Sequence, residues 1–171
     1  QFLNYNESYD ELDQDGLKFI IDKDYKVGFY PNKIAYLFAD IKAYSKHDPE
    51  GKGKPKEERR KVTKQLIEVE WLNANANPTI LTASPTHANY SYSGKNNDNK
   101  SFFYNCKGFE KITYKNLYDN IDVEYTFHPE NGFKYSLILH PGADINAVKL
   151  KYKGAIPKLN HNSISIETIN G

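Results

Sequence analysis

The chain has 171 residues, with 23 basic and 22 acidic side chains, so its charge is nearly balanced. This balance gives no electrostatic reason to expect a nucleic-acid partner, and no stretch of 18 apolar residues predicts a membrane span. The single Cys106 excludes an intramolecular disulfide and a cysteine-based zinc cluster. The length is sufficient for one domain with a sizeable core.

The sequence starts with Gln1-Phe2 and contains no methionine. Such a start is typical of a chain from which a signal peptide has been removed, or of an excised fragment. We therefore expect a secreted or cell-surface protein. Residues 1–16 are acidic and rich in turn formers, which predicts an extended lead-in before a single domain that spans 17–171.

The first part of this domain contains short segments with strand character, separated by turn-forming residues. Residues 33–44 are apolar at both sets of alternate positions, which predicts a central strand. A helix is conceivable over 57–66, but the β-branched alternation favours a strand after residue 66. The strands predicted in this part are 17–21, 25–30, 33–44, 62–71, 79–83 and 87–93.

Residues 46–61 ("KHDPEGKGKPKEERRK") form the most polar stretch, with seven basic and four acidic residues, two glycines and two prolines. A core cannot be built from this composition, so we expect a mobile, solvated loop between two strands. Its basic excess could contact an acidic glycan or a membrane surface, but a solvated loop is the favoured interpretation.

The last third is the most regular. Residues 121–127 and 133–139 alternate apolar and polar positions around the turn 129–132, which predicts a hairpin. Further strands are predicted at 109–118, 147–154 and 163–169. Many short strands with turn-like connections predict an all-β fold, a two-sheet, mostly antiparallel β-sandwich with long polar loops.

Histidines and carboxylates at strand ends are the first candidates for chemistry. His128 and His140 belong to the two ends of the predicted hairpin, and the strand rise places them more than about 20 Å apart. They cannot share a metal, and the proline after each of them indicates the end of a strand. Asp119 and Asp122 lack the spacing of a calcium loop and favour a turn, although a weak Ca²⁺ site near them stays open.

No other pattern predicts catalysis. Cys106 has no identified base, and the remaining histidines follow no metal-binding spacing. We therefore expect no catalytic residue, no cofactor and no metal, and a domain that is not an enzyme. Exposed aromatic side chains could instead stack on a sugar, which gives a glycan-binding module as the alternative function. The candidates for such a platform are Trp71, Tyr90, Tyr92 and Tyr104.

The order of the motifs indicates a family. The "DGL" segment, "IEVEWLNANANPTI", "HANYSYS", the block 109–155 and the closing "ISIETING" follow one another. This order resembles the N-terminal β-rich domain of unknown function in very large secreted Bacteroidota proteins. The resemblance covers roughly 16–171, and its specific positions are Tyr114, Asn116, Tyr118, Ile121, Asp122, Tyr125, Lys134, Tyr135, Pro141, Gly142, Ala143, Asp144, Leu150, Tyr152, Gly154 and Ala155. Ser136 departs from the family pattern, which has an aspartate there.

The resemblance implies a non-catalytic module for adhesion, surface display or assembly, with no established catalytic residue to transfer. Proteins of this kind often continue into SBBP-type repeats and PKD-like or Ig-like modules. They often end in a gliding-motility-type segment used for type IX secretion. The implied partners are other domains of the same chain, a surface protein, or a glycan. Pro141, Gly142 and Asp144 then form a structural turn, in which Asp144 accepts backbone hydrogen bonds.

Overall fold

The computed structural model describes residues 2–4, 16–22, 25–45, 47, 49–55, 60–95, 101–128, 130 and 132–170. Within these ranges the chain forms strands joined by turns, and its one helical element is a 3₁₀ turn at Ile145–Ala147. The strands are β1 (Phe2–Asn4), β2 (Phe19–Asp22), β3 (Lys26–Phe29), β4 (Lys33–Ala43), β5 (Arg60–Trp71), β6 (Thr79–Lys95), β7 (Ser101–Tyr118), β8 (Ile121–His128), β9 (Gly132–Leu139), β10 (Leu150–Lys153), β11 (Lys158–Asn160) and β12 (Ser163–Ser165).

All strand pairs are antiparallel. Ten strands form one hydrogen-bonded sheet in the order β10-β5-β4-β3-β2-β1-β7-β8-β9, with β6 paired to β7. Strands β11 and β12 form a separate two-stranded sheet. Nothing in the described part of the chain is a helix long and apolar enough to cross a bilayer.

The large sheet folds over so that its two halves face each other. Phe29 of β3 contacts Tyr125 of β8 and Phe133 of β9, with ring centroids 5.4 and 5.1 Å apart. Trp71 of β5 contacts Tyr135 of β9 at 5.4 Å. The predicted all-β, mostly antiparallel sandwich is therefore confirmed, and the layers that face each other across its core are halves of one continuous sheet.

Strand β7 connects the two layers. Its residues Gly108 and Phe109 pair with β1, and its later residues from Lys111 to Tyr118 pair with β8. Strand β6 occupies the opposite edge of β7 along both parts. A register shift in β6 between Pro85 and Asn89 lies near the point where β7 changes from one partner to the other, as expected of a bulge at a sheet corner.

The core between the layers is aromatic. Phe2 of β1 is completely buried, and its ring contacts Phe29, Phe127 and Phe133. A second buried cluster includes alternate positions of β2 and β4, because both faces of β4 are apolar as its sequence predicts. This second cluster consists of Leu17, Ile20, Tyr30, Ala35, Leu37 and Cys106.

Three boundaries differ from the predictions. Strand β1 lies within residues 1–16, so Phe2–Asn4 is part of the sheet and not of a lead-in outside the domain. The segments 79–83 and 87–93 form one strand, β6, interrupted by the register shift. The stretch 46–61 connects β4 to β5 as predicted, but β5 begins at Arg60, and Gly51 is buried against the Ser45 carbonyl.

Candidate functional site

Among the described residues, Asp122 is the one charged residue whose side chain is fully buried, with 1% exposure. It follows Ile121 at the start of β8, where the alternation predicts an outward-facing position. Its Oδ2 atom accepts hydrogen bonds from Lys115 Nζ and, at 2.8 Å, from His140 Nε2. Its Oδ1 atom accepts the backbone N–H of Asn116 at 2.8 Å. The outward side of the strand is thus covered at this position.

These contacts determine the protonation of Asp122. Burial alone would raise the pKa of the Asp122 carboxyl group. The hydrogen bonds from Lys115, Asn116 and His140 lower the pKa by more than burial raises it, so it falls from 3.8 to about 2. The group is therefore an anion at neutral pH, held by three donors. Such a carboxylate is suited to fixing loops and is a weak proton acceptor.

The bulge at the end of β7 is the first loop that Asp122 fixes. The register between β7 and β8 shifts between Tyr114 and Tyr118, and Asn116 lies there with φ +49°. Asn75 contacts the same bulge, because its backbone N–H donates to Leu117 O at 2.8 Å and its amide donates to Asn116 O at 3.3 Å. The loop after β5 and the bulge of β7 are held together by these bonds.

The turn after β9 is the second loop. The His140 N–H donates to Asn120 O at 2.9 Å, and Ala143 N–H donates to His140 O at 3.0 Å. Gly142 has φ +88°, a conformation that favours glycine. Asp144 caps the 3₁₀ turn by accepting the backbone N–H of Asn146 at 2.9 Å. Pro141, Gly142 and Asp144 are all exposed.

These loops enclose an open cleft of about 920 Å³ at one end of the sandwich. Four asparagines line it, and three of them have positive φ: Asn73 (+58°), Asn116 (+49°) and Asn120 (+59°). The lining residues are Asn73, Ala74, Asn75, Asn116, Leu117, Tyr118, Asp119, Asn120, Gly142, Asp144 and Ala147.

The sequence profile of a family described as Domain of unknown function (DUF7948) matches residues 5–171. The chain belongs to this family. The DUF7948 match includes the Asp122 contacts, the cleft and the C-terminal hairpin. Neither a curated protein nor a solved structure matches the chain.

Of the aromatic residues predicted as a stacking platform in this DUF7948 domain, Trp71 is the one whose side chain the structure describes. Trp71 is 3% exposed, and its indole N–H donates to Tyr125 Oη at 3.0 Å, so the prediction of an exposed Trp71 is wrong. Its position at the end of β5 points it into the core between the layers. Tyr90 pairs with Cys106, and Tyr92 with Tyr104, but the side chains of these three tyrosines lie outside the described part.

The two histidines of the hairpin lie as predicted at its opposite ends. Residue 128 pairs with Gly132, and Ile121 pairs with Leu139 directly before His140. The connection between the two strands is one residue shorter than the predicted turn 129–132, because His128 pairs with Gly132. The hydrogen bond of His140 to Asp122 was not predicted, because Asp122 was assigned to the solvent face.

Cys106 and the acidic residues complete the candidates. Burial raises the pKa of the Cys106 thiol, which disfavours the reactive thiolate. Asp119 and Asn120 form the turn between Tyr118 and Ile121, as predicted. Across the described ranges, no group of three or more His, Cys, Asp or Glu side chains could hold a metal ion.

Proposed function

We propose that this domain is a non-catalytic module of a larger secreted or cell-surface protein, with a role in adhesion, surface display or assembly. The observation that carries the proposal is an exposed apolar surface on the C-terminal hairpin. Leu159 and Ile164 are cross-strand partners in β11 and β12, with 79% and 50% exposure, and the preceding Ile156 is 85% exposed. We call these three residues the hairpin surface.

The hairpin is attached to the sandwich at both of its ends by one side chain. Gln65 of β5 donates to Gly154 O at 3.3 Å and accepts the backbone N–H of Ile169 at 2.9 Å. Gly154 itself lies directly against the Leu66 carbonyl. Isolated two-stranded sheets are marginally stable in water, and neighbouring apolar side chains in the open favour contact with another protein surface.

The buried polar groups support a role without catalysis. The carboxylate of Asp122 is held by three donors, and Cys106 is buried. The resemblance of the 109–155 block supports the narrower proposal of a module from large secreted Bacteroidota proteins, with other domains of the same chain or a surface protein as partner. Type IX secretion and gliding motility belong to this narrower proposal.

The test uses the intact protein in the cells that produce it. Leu159→Ser combined with Ile164→Ser should leave folding of the purified domain unchanged but reduce surface assembly or adhesion several-fold. Leu81→Ser is the matched control, because Leu81 is 52% exposed on β6. Antibody labelling of intact cells reports surface display. Hydrolysis of a polysaccharide or ester by the purified domain, lost on His140→Ala, would show instead that the domain is an enzyme.

A further inference from the structure

The asparagine-lined cleft has the size and the chemistry of a ligand site. Its volume of about 920 Å³ lies in the range of about 300–1,000 Å³ that is typical of small-molecule sites. Three elements that are distant in sequence build it: the loop after β5, the β7–β8 turn, and the turn after β9. Asp122 and Asn75 fix the first two of these to each other through the Asn116 backbone, so the walls are held in place by hydrogen bonds within the protein.

The amide groups of the wall are available to a ligand. Asn75 uses its side chain within the protein, in bonds to Asn116 O and from Asn77 N–H. The side chains of Asn73, Asn116 and Asn120 make no hydrogen bond to any residue that the structure describes, and all three are exposed. Each carboxamide presents an acceptor oxygen and two donor hydrogens.

The charges of the wall select among ligand classes. Asp119 and Asp144 are the charged side chains in the described lining, which contains no lysine, arginine or histidine. A phosphate or carboxylate would therefore meet acidic groups without a cation. The lining offers two carboxylates, Asp119 and Asp144, and no group of three or more His, Cys, Asp or Glu side chains in the described residues could hold a metal ion.

A neutral ligand with many hydroxyl groups fits these properties. Carboxamides and carboxylates both hydrogen-bond to hydroxyls, and Ala74 and Ala147 offer apolar surface to a ring C–H face. We propose that this cleft binds a neutral saccharide through Asn73, Asn116 and Asn120. This site goes beyond the proposed display role and does not rest on it, since a purified domain is sufficient to bind.

The experiment is a titration of the purified domain by two-dimensional ¹H–¹⁵N NMR. The probes are xylotriose, cellotriose, mannotriose, maltotriose and chitotriose, each up to about 10 mM, which detects dissociation constants in the millimolar range. At least one probe should shift the amide signals of residues 73–75, 116–120 and 142–147, and should leave those of the β11–β12 hairpin unchanged.

Glycine variants remove each carboxamide without straining the backbone, because glycine tolerates the positive φ of all three positions. Asn116→Gly and Asn120→Gly should each weaken binding about tenfold, and Asn73→Gly should weaken it as well. Ser84→Gly is the matched control, since Ser84 is also exposed with positive φ (+54°) but lies on β6 outside the cleft. The Ser84→Gly variant should bind the saccharide with the same affinity as the parent chain.

Four results would overturn the proposal. The first is the absence of any shift at the cleft with all five probes. The second is a shift located elsewhere, for example on the strands of Tyr90 and Tyr104. The third is a shift of the cleft signals by calcium chloride alone, which would identify a cation site. Retained binding in the Asn116→Gly and Asn120→Gly variants would equally contradict the assigned contacts.

Discussion

The Nε2 atom of His140 lies 2.8 Å from the Oδ2 atom of Asp122, although the two residues belong to different ends of consecutive strands. Asp122 is the second residue of β8, and His140 directly follows β9. The hairpin register brings them together, because Ile121 pairs with Leu139. The pair fixes the turn that starts at Pro141 to the strand that forms the wall of the core, and hence determines one side of the cleft.

Asp122→Asn should destabilise the domain by about 1–3 kcal/mol, because it weakens charge-assisted bonds to Lys115 and His140 at a buried position. Glu124→Gln is the control on the same strand, since Glu124 is half-buried and pairs with Lys111 at 3.0 Å. A surface ion pair of this kind contributes about 0–1 kcal/mol. Urea unfolding at pH 7 measures both, and equal effects would contradict the central role of Asp122.

The stability should also depend on pH in a defined window. Asp122 has a pKa of about 2 in the folded chain, below its ordinary value of 3.8. A lowered folded pKa means that the stabilisation is present above about 3.8 and is lost as the pH falls toward 2. Unfolding free energies measured between pH 6 and pH 2 should therefore converge for the parent chain and Asp122→Asn. A constant difference down to pH 2 would contradict the assignment.

Two buried tyrosines should respond oppositely to loss of the hydroxyl. Tyr125 Oη accepts the Trp71 indole N–H at 3.0 Å, so Tyr125→Phe should cost about 1–3 kcal/mol. Tyr114 Oη is buried without a hydrogen-bond partner in the described residues, so Tyr114→Phe should be neutral or stabilising. Trp71 is the single tryptophan, and its fluorescence reports unfolding of both variants.

Gly154→Ala tests the attachment of the C-terminal segment. Gly154 has φ +81°, and an added Cβ would collide with the Leu66 carbonyl. Gly53 has a similar φ of +77° but open space around it. We expect about 1 kcal/mol for Gly53→Ala from the backbone conformation, and about 3 kcal/mol or more for Gly154→Ala. Thermal unfolding compares the two variants. Equal shifts of their melting temperatures would mean that the C-terminal segment is not held against the Leu66 carbonyl.

Asp144→Ala should destabilise by about 0.5–2 kcal/mol, because Asp144 accepts the Asn146 backbone N–H in the manner of a helix cap. Asp119→Ala is the control in the same cleft. Asp119 is exposed and has no hydrogen bond to the described residues, so the expected change is within about 0.5 kcal/mol. Chemical denaturation distinguishes the two variants.

Local sequence patterns predicted those parts of the fold that depend on neighbouring residues. The β8–β9 hairpin follows from alternation on both sides of a turn that contains Gly132, and β4 was predicted as a central strand from its two apolar faces. The exposed lysines of β10 alternate with half-buried Leu150 and Tyr152, as the pattern indicates.

Features that depend on distant residues were not predictable in this way. Phe2–Asn4 is too short to show periodicity, and its place in the sheet depends on partners in β2 and β7. Asp122 is covered by Lys115 and His140, which alternation within β8 cannot show. The cleft was missed for the same reason. Asn116 and Asp122 are both positions of the family resemblance in the block 109–155. This was the one sequence signal that could have pointed to the cleft.

The position of β1 between β2 and β7 has a consequence for the order of folding. Strands β2 to β5 can pair successively through local hairpins, and so can β6 to β9. Joining the two groups requires β1 to meet Gly108 and Phe109, and closing the β5 edge requires Leu150 to reach Trp71. Contacts between such distant residues form slowly because the intervening chain must first lose entropy. During synthesis, β5 therefore stays an open edge until β10 has been made.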